Sequence, residues 1–137
     1  MATAGAADLE YVRSLGADSV LDYRAVKIDE MAEPVDAVLD LVGGETQQRS
    51  FRVLKPCGIL VSVVSPVLAA PRSDVRSVFF YVDVTSARLN TISELLESGK
   101  LTTQVGTVLP LKHARLAHEM LAGAPHKGGK IVLMMAT

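Results

Sequence analysis

The sequence predicts an α/β domain with a parallel sheet and helices on both faces, and three observations predict it. Helical and strand-like periods alternate along the 137 residues. The connections between them are short, and the strand segments are nearly continuous apolar runs, without the polar alternation of half-exposed antiparallel strands. With 49% hydrophobic and 21% charged residues the chain can bury a core, which excludes disorder along its whole length.

The elements follow in order. Asp8 to Leu15 places Leu9, Val12 and Leu15 on one side at helical spacing, with Glu10 and Arg13 facing water, and Gly16 ends the helix. Ser19 to Tyr23 reads as a short strand. The weakly patterned stretch from Arg24 to Pro34 has room for a short helix. Val35 to Val42 is a nearly continuous apolar run, the pattern of a strand covered on both faces. Gly43-Gly44 breaks that run. In Glu45 to Leu54, Phe51 and Leu54 lie opposite Gln47, Gln48 and Arg52, and the helix ends at Pro56 and Gly58. A buried strand, Ile59 to Val64, comes next.

The loop Ser65 to Asp74, with Pro66 and Pro71, departs from this rhythm. Val75 to Val84 is rich in β-branched and aromatic residues, and Ser86 to Leu96 is helical with Leu89, Ile92, Leu95 and Leu96 inward. A strand at Val105 to Leu109, a helix from Lys112 to Leu121, a glycine-rich turn and the strand Lys130 to Met135 complete the chain.

Composition excludes several functions. A formal net charge of -1 with scattered basic residues gives no electrostatic footprint for DNA or RNA. No segment approaches the roughly 20 apolar residues that span a bilayer. The single cysteine, Cys57, can form no disulfide within the chain and no four-thiolate zinc site. Together with the lack of a signal-peptide pattern, this leads us to expect a reducing, cytoplasmic setting. His113, His118 and His126 are not spaced as metal ligands with a carboxylate or thiolate, so no metal is expected. Ser62, Ser65 and Asp40 read as hydrogen-bonding groups at strand ends, and no catalytic residue can be assigned.

Several phrases fall in a recognisable order: Val12 to Asp18, Asp22-Tyr23, Val35 to Gly44, Leu54 to Val61, Phe79 to Val82, Leu95 to Lys100 and Gly129 to Leu133. Over nearly the whole chain they resemble the nucleotide-binding domain of the medium-chain dehydrogenase/reductase superfamily, particularly its zinc-independent quinone oxidoreductase-like members. The resemblance implies a Rossmann-like sheet that is incomplete: residues 1–137 are part of an NAD(P)-binding domain, and 104–137 match the tail that returns to the catalytic domain in full-length relatives. The first strand, its glycine-rich phosphate loop and the catalytic domain would be missing. Cys57 stands where the family usually has glycine.

The same resemblance implies the site. Thr3 and Ala4 match where the family reads the adenosine ribose, and the lack of an acidic residue there favours NADP over NAD. Tyr23 matches a tyrosine near the 2′-phosphate, with Arg24 and Lys27 as charge partners. Val42, Gly43, Val64 and Ser65 follow strands at the carboxyl edge, where open parallel sheets place ligands. Phe80 and Val82 lie in the segment that meets the nicotinamide carboxamide.

For each there is a plainer reading: a small-residue helix start, a tyrosine packed on the sheet edge, turn glycines, and an aromatic strand serving a core or a subunit contact. The implied activity is hydride transfer between NADPH and a carbonyl or enone, weak or absent in this chain alone. The rival expectation is a non-catalytic oligomerisation or subunit module derived from a reductase or a synthase. In the strand order 3-2-1-4-5-6 the missing strand is the central one. We therefore expect its slot to be filled by Ile131 to Met135 or by a second copy, in a homo-oligomer or strand-exchanged dimer.

Overall fold

The fold is described from a computed structural model of residues 1–31, 33–67 and 70–135. Residue 32 of the expected short-helix region and residues 68 and 69 of the expected loop lie outside the described residues. The chain divides into two compact units, Met1–Asp83 and Val84–Thr137, and each is taken by itself.

In the first unit β1 (Ala2–Ala4) pairs in parallel with β2 (Val20–Asp22), Ala2 opposite Val20 and Ala4 opposite Asp22. Between them a single 3₁₀ turn, Ala6–Asp8, leads into α1 (Leu9–Ser14). Leu9 and Val12 are half-buried as the periodicity requires, but Leu15 falls beyond the helix and is exposed. The short helix expected after β2 is α2 (Ile28–Met31).

A second sheet has the order β3-β4-β5, all parallel, from β3 (Val35–Asp40), β4 (Leu54–Ser62) and β5 (Arg76–Phe79). Parallel pairing needs a crossover between strands, and α3 (Gly44–Ser50) supplies the one between β3 and β4. This helix is shorter than its sequence pattern: Phe51–Val53 tightens into a 3₁₀ turn and Leu54 already belongs to β4. The Arg72 guanidinium closes that turn by donating to the carbonyls of Phe51 and Leu54 at 3.1 and 2.6 Å, while it pairs with Asp74.

Strand β4 therefore begins five residues earlier than the apolar run Ile59–Val64 indicates. Val35 lies opposite Leu54 but Ala37 lies opposite Ile59, so Lys55 to Gly58 form an excursion inside the strand. At its tip Cys57 takes a left-handed backbone, φ 65°, and its N–H donates to the Asp74 carbonyl at 2.8 Å. A glycine is the usual occupant of such a position.

The core of this unit is Phe51, Leu54, Leu60 and Val75, with Val35, Val38 and Val67 packed against it. Only one face of the β3–β4 sheet is fully covered. Leu60 and Ser62 are wholly buried, Ile59 and Val61 half-buried, and Leu39, Leu41 and Val42 are more than 60% exposed. The apolar runs read as doubly covered strands; among the described residues of this unit, Leu39 on β3 and Leu41 and Val42 just after it remain uncovered.

In the second unit α4 (Ser86–Glu97) opens with Thr85, whose hydroxyl accepts from the Arg88 N–H at 3.3 Å. Leu89, Ile92, Leu95 and Leu96 form the expected stripe, but all four are exposed and none lies inward. The other elements are β6 (Val105–Pro110), a 3₁₀ turn at Leu111–His113, α5 (Ala114–Leu121) and β7 (Lys130–Met134). Strand β7 pairs in parallel with β6, from Thr107 opposite Ile131 to Pro110 opposite Met134. Within its own unit the expected strand at Ile131 thus has β6 as a partner.

Candidate functional site

All strand pairs in the first unit are parallel, so the carboxyl ends of paired strands lie together and the loops that follow them cluster. At the end of β3, Asp40 is 4% exposed and carries a dense set of hydrogen bonds. Its Oδ1 accepts the N–H groups of Val42 at 3.0 Å and Gly43 at 2.8 Å. Its Oδ2 accepts the Ser62 hydroxyl at 2.8 Å and the Gln47 amide at 2.9 Å. Burial alone pushes this carboxyl up; the Gly43 N–H, Ser62 hydroxyl, Val42 N–H and Gln47 amide outweigh it and hold the pKa below its ordinary 3.8.

Ser62, at the matching end of β4, extends the network: its Oγ accepts the N–H groups of Val64 and Ser65 at 3.2 and 3.4 Å. Gln47 closes it by donating also to the Ser65 carbonyl at 3.1 Å. The two turns meet directly. Gly43 has φ 77°, and a Cβ built there would lie 3.0 Å from Val64 Cγ1 and 3.4 Å from Ser65 Oγ, so both backbone and space require glycine. Of the expected site residues, Val42, Gly43, Val64 and Ser65 therefore stand together as one lip, with Val42 and Val64 exposed.

Thr3, Ala4 and Tyr23 stand together on the other sheet. Thr3 and Ala4 end a strand, and a helical turn starts directly after them at Ala6, with Gly5 at its N-cap. Tyr23 donates its N–H to the Ala4 carbonyl at 3.2 Å, its ring approaches Gly5, and the Arg24 guanidinium lies 5.5 Å from the ring centroid. Lys27 is paired with Glu30 at 3.1 Å. Phe80 and Val82 follow the end of β5 with side chains exposed; the aromatic contact in this segment is between Phe79 and Tyr81, edge to face at 4.8 Å.

Sequence reasoning placed Gln47 on the polar side of its helix, and the structure corrects this. Gln47, Ser50 and Phe51, at i, i+3 and i+4, form the buried face, each 3% exposed or less. The available signal was Asp40 seven residues earlier, a buried-strand carboxylate that needs donors.

Between the edges of β1 and β3 lies a cavity of about 370 Å³, lined by Met1, Ala2 and Thr3 on one side and Val35, Val38 and Leu39 on the other. The two sheets do not join across it. Among the described residues no helix is long and apolar enough to cross a membrane.

Comparison with known proteins agrees with this architecture. The quinone oxidoreductase from Coxiella burnetii superposes on this chain with a TM-score of 0.78 at 28% identity, covering 96% of this chain and 43% of that one. A probable zinc-binding oxidoreductase, mitochondrial, of Arthroderma benhamiae is 27% identical over 141 residues, covering 96% of this chain and 42% of the relative. An NADPH-dependent alkenal/one oxidoreductase, chloroplastic, of Arabidopsis thaliana is 29% identical over 133 residues, covering 96% and 32%. The chain thus spans less than half the length of these relatives. Residues 15–133 match the zinc-binding dehydrogenase family, and the quinone oxidoreductase likeness read from the sequence is borne out. The chain belongs to the zinc-binding dehydrogenase family, within the medium-chain dehydrogenase/reductase superfamily.

Proposed function

We propose that this chain is part of the nucleotide-binding domain of an NADP-dependent, zinc-independent oxidoreductase of the quinone oxidoreductase or enoyl reductase kind. In its full-length form such a protein transfers hydride between NADPH and a carbonyl or enone. The observation that carries the reading is the lip at the carboxyl edge of the parallel β3–β4 pair, where Gly43 meets Val64 and Ser65. Val42, Gly43, Val64 and Ser65 would hold the nicotinamide side, with Phe80 and Val82 beyond β5. Thr3, Ala4 and Tyr23 would hold the adenosine side.

The preference for NADP rests on two features: β1 ends without a carboxylate for a free 2′-hydroxyl, and Arg24 lies beside Tyr23 as a cation for a phosphate. Bound there, the nicotinamide would supply the hydride, and this chain would supply position. The zinc in the family's name has no donor set here: among the described residues no three His, Cys, Asp or Glu side chains gather. A reducing, cytoplasmic setting belongs to the same proposal, on the single free cysteine. Residues 104–137 are proposed as the tail that reaches the catalytic domain.

A second reading is favoured by the cavity between β1 and β3: a homo-oligomer or strand-exchanged dimer in which a second copy fills it, with no catalysis of its own. Titration of the chain with NADPH and NADH by calorimetry, beside sedimentation at the same concentrations, separates the two. Saturable binding that favours NADPH supports the first. A dimer without nucleotide binding supports the second.

A further inference from the structure

The groove between α2 and α3 holds a cavity of about 520 Å³, lined by none of the residues assigned above to the dinucleotide. Three ion pairs stand in its walls. Lys27 pairs with Glu30 at 3.1 Å, Arg49 with Glu45 at 2.6 Å and Arg52 with Asp29 at 2.9 Å. The first two join residues three and four apart on largely exposed surface, where such pairs are weak and readily exchanged.

The third pair is different. It spans 23 residues, and the Asp29 side chain is only 7% exposed while that of Arg52 is 72% exposed. Arg52 Nη1 donates to Asp29 Oδ2, but Asp29 Oδ1 is buried and, among the described residues, receives no donor. A buried carboxylate oxygen without a hydrogen bond is costly, so a donor entering the cavity has an acceptor waiting for it. Rotation about the Asp29 Cβ–Cγ bond, a broad two-fold torsion, exchanges the two oxygens, so either can meet that donor.

The acceptor for the other end of a ligand is set by the arginines. Arg72 also lines the cavity, but its guanidinium is committed to Asp74 and to the carbonyls of Phe51 and Leu54. Arg52 commits Nη1 to Asp29, and the rest of its five-donor fork can serve a second acceptor. The donor that Asp29 lacks and the acceptor that Arg52 can take thus belong side by side. A simple anion would be repelled by Asp29 and a simple cation by Arg52, whereas a molecule with both charges a few bonds apart satisfies the two together.

We propose that this cavity binds a small amino acid as its zwitterion, the ammonium group donating to Asp29 and the carboxylate accepting from Arg52. The volume falls within the range of about 300 to 1,000 Å³ typical of small-molecule sites. It leaves room for a polar side chain beside the Lys27–Glu30 and Arg49–Glu45 pairs. Such a site goes beyond the dinucleotide reading and does not depend on it.

The test is a titration of the whole chain with the common L-amino acids at millimolar concentration, read by amide NMR. At least one is expected to give saturable shifts at Glu30, Arg49 and Arg52, with Gly43 and Ser65 unmoved. The matching α-hydroxy acid, or the amine without the carboxylate, should bind about 10-fold or more weaker, the loss of one charged hydrogen bond. Asp29→Asn and Arg52→Gln should each weaken binding to the same degree.

Because the Arg52 side chain lies largely in solvent, its variant decides the matter should Asp29→Asn fail to fold. No saturable shift from any amino acid, an α-hydroxy acid that binds as tightly, or unchanged binding in Arg52→Gln would overturn the proposal. Failure of NADPH to bind, with the amino-acid response intact, would remove the dinucleotide reading and leave this one standing.

Discussion

Leucine 60 sits at the centre of the middle strand, wholly buried, while Val61 beside it points to the opposite face and is half-buried. Truncating each to alanine tests whether the sheet has one supporting face or two. For Leu60→Ala three methylene-sized groups leave a site packed by Phe51, Leu54 and Val75. Leucine truncations in rigid cores cost about 2.7 to 5 kcal/mol, rising with the cavity left. Because Phe51 is also wholly buried and held in a 3₁₀ turn by the Arg72 bonds, the site collapses poorly. We expect about 3 to 4 kcal/mol.

Val61→Ala removes two methyl groups from a face already half wet, which predicts about 1 kcal/mol. The chain has no tryptophan, so urea unfolding is best followed by far-UV circular dichroism, with m compared between variants to confirm that the denatured state is unchanged. Equal midpoint shifts for the two variants would refute the reasoning, since they would mean that the second face is packed as firmly as the first.

Three further outcomes follow from the same geometry. Cys57→Gly relieves a left-handed residue, a gain of about 1 to 2 kcal/mol, offset by the roughly 0.5 to 1 kcal/mol of extra freedom glycine has in the unfolded chain. A small rise in the urea midpoint is expected, and a fall would show that the Cys57 side chain stabilises its turn. The Asp40 pKa is depressed in the folded state, so its contribution is present above the ordinary carboxylate range and is lost as pH falls through the folded value. The stability gap between wild type and Asp40→Asn should therefore shrink on acidification; a constant gap down to full protonation would contradict the depressed pKa. At Gly106 a Cβ would lie 2.4 Å from the carbonyl oxygens of Lys127 and Gly128. Gly106→Ala should break the β6–β7 ladder, seen as lost amide protection from Thr107 to Leu109, and retained protection would refute the contact.

Much of this fold was legible because its strands announce themselves. Val35 to Asp40 and Ile59 to Ser62 are apolar runs too short and β-branched for helices, and both are strands. What escaped was set by contacts across the chain. The early start of β4 at Leu54 depends on pairing with Val35, which no local pattern reveals. Val75 to Val84 reads as ten residues of strand, yet pairing stops at Phe79 because β4 ends at Ser62 opposite it.

The inward stripe of α4 was correct as a stripe and wrong as burial, since periodicity says which residues share a face and not whether anything covers it. At the candidate site, Gly43, Val64 and Ser65 were found by their place after strands. Gln47 was missed because a glutamine on a helix is read as solvated unless its partner is known.

The pairing pattern also bears on how such a chain acquires its shape during synthesis. Among the described residues every ladder joins segments that are close along the chain: Ala2 to Val20, Asp40 to Ser62, Leu60 to Ser77 and, the widest of these, Val105 to Lys130. None of these four ladders must wait for a distant segment to be made. Low sequence separation favours fast folding, so each ladder can close soon after its second strand leaves the ribosome, in order from the amino end. A sheet interrupted in this way trades continuity for a succession of small, independently completed steps.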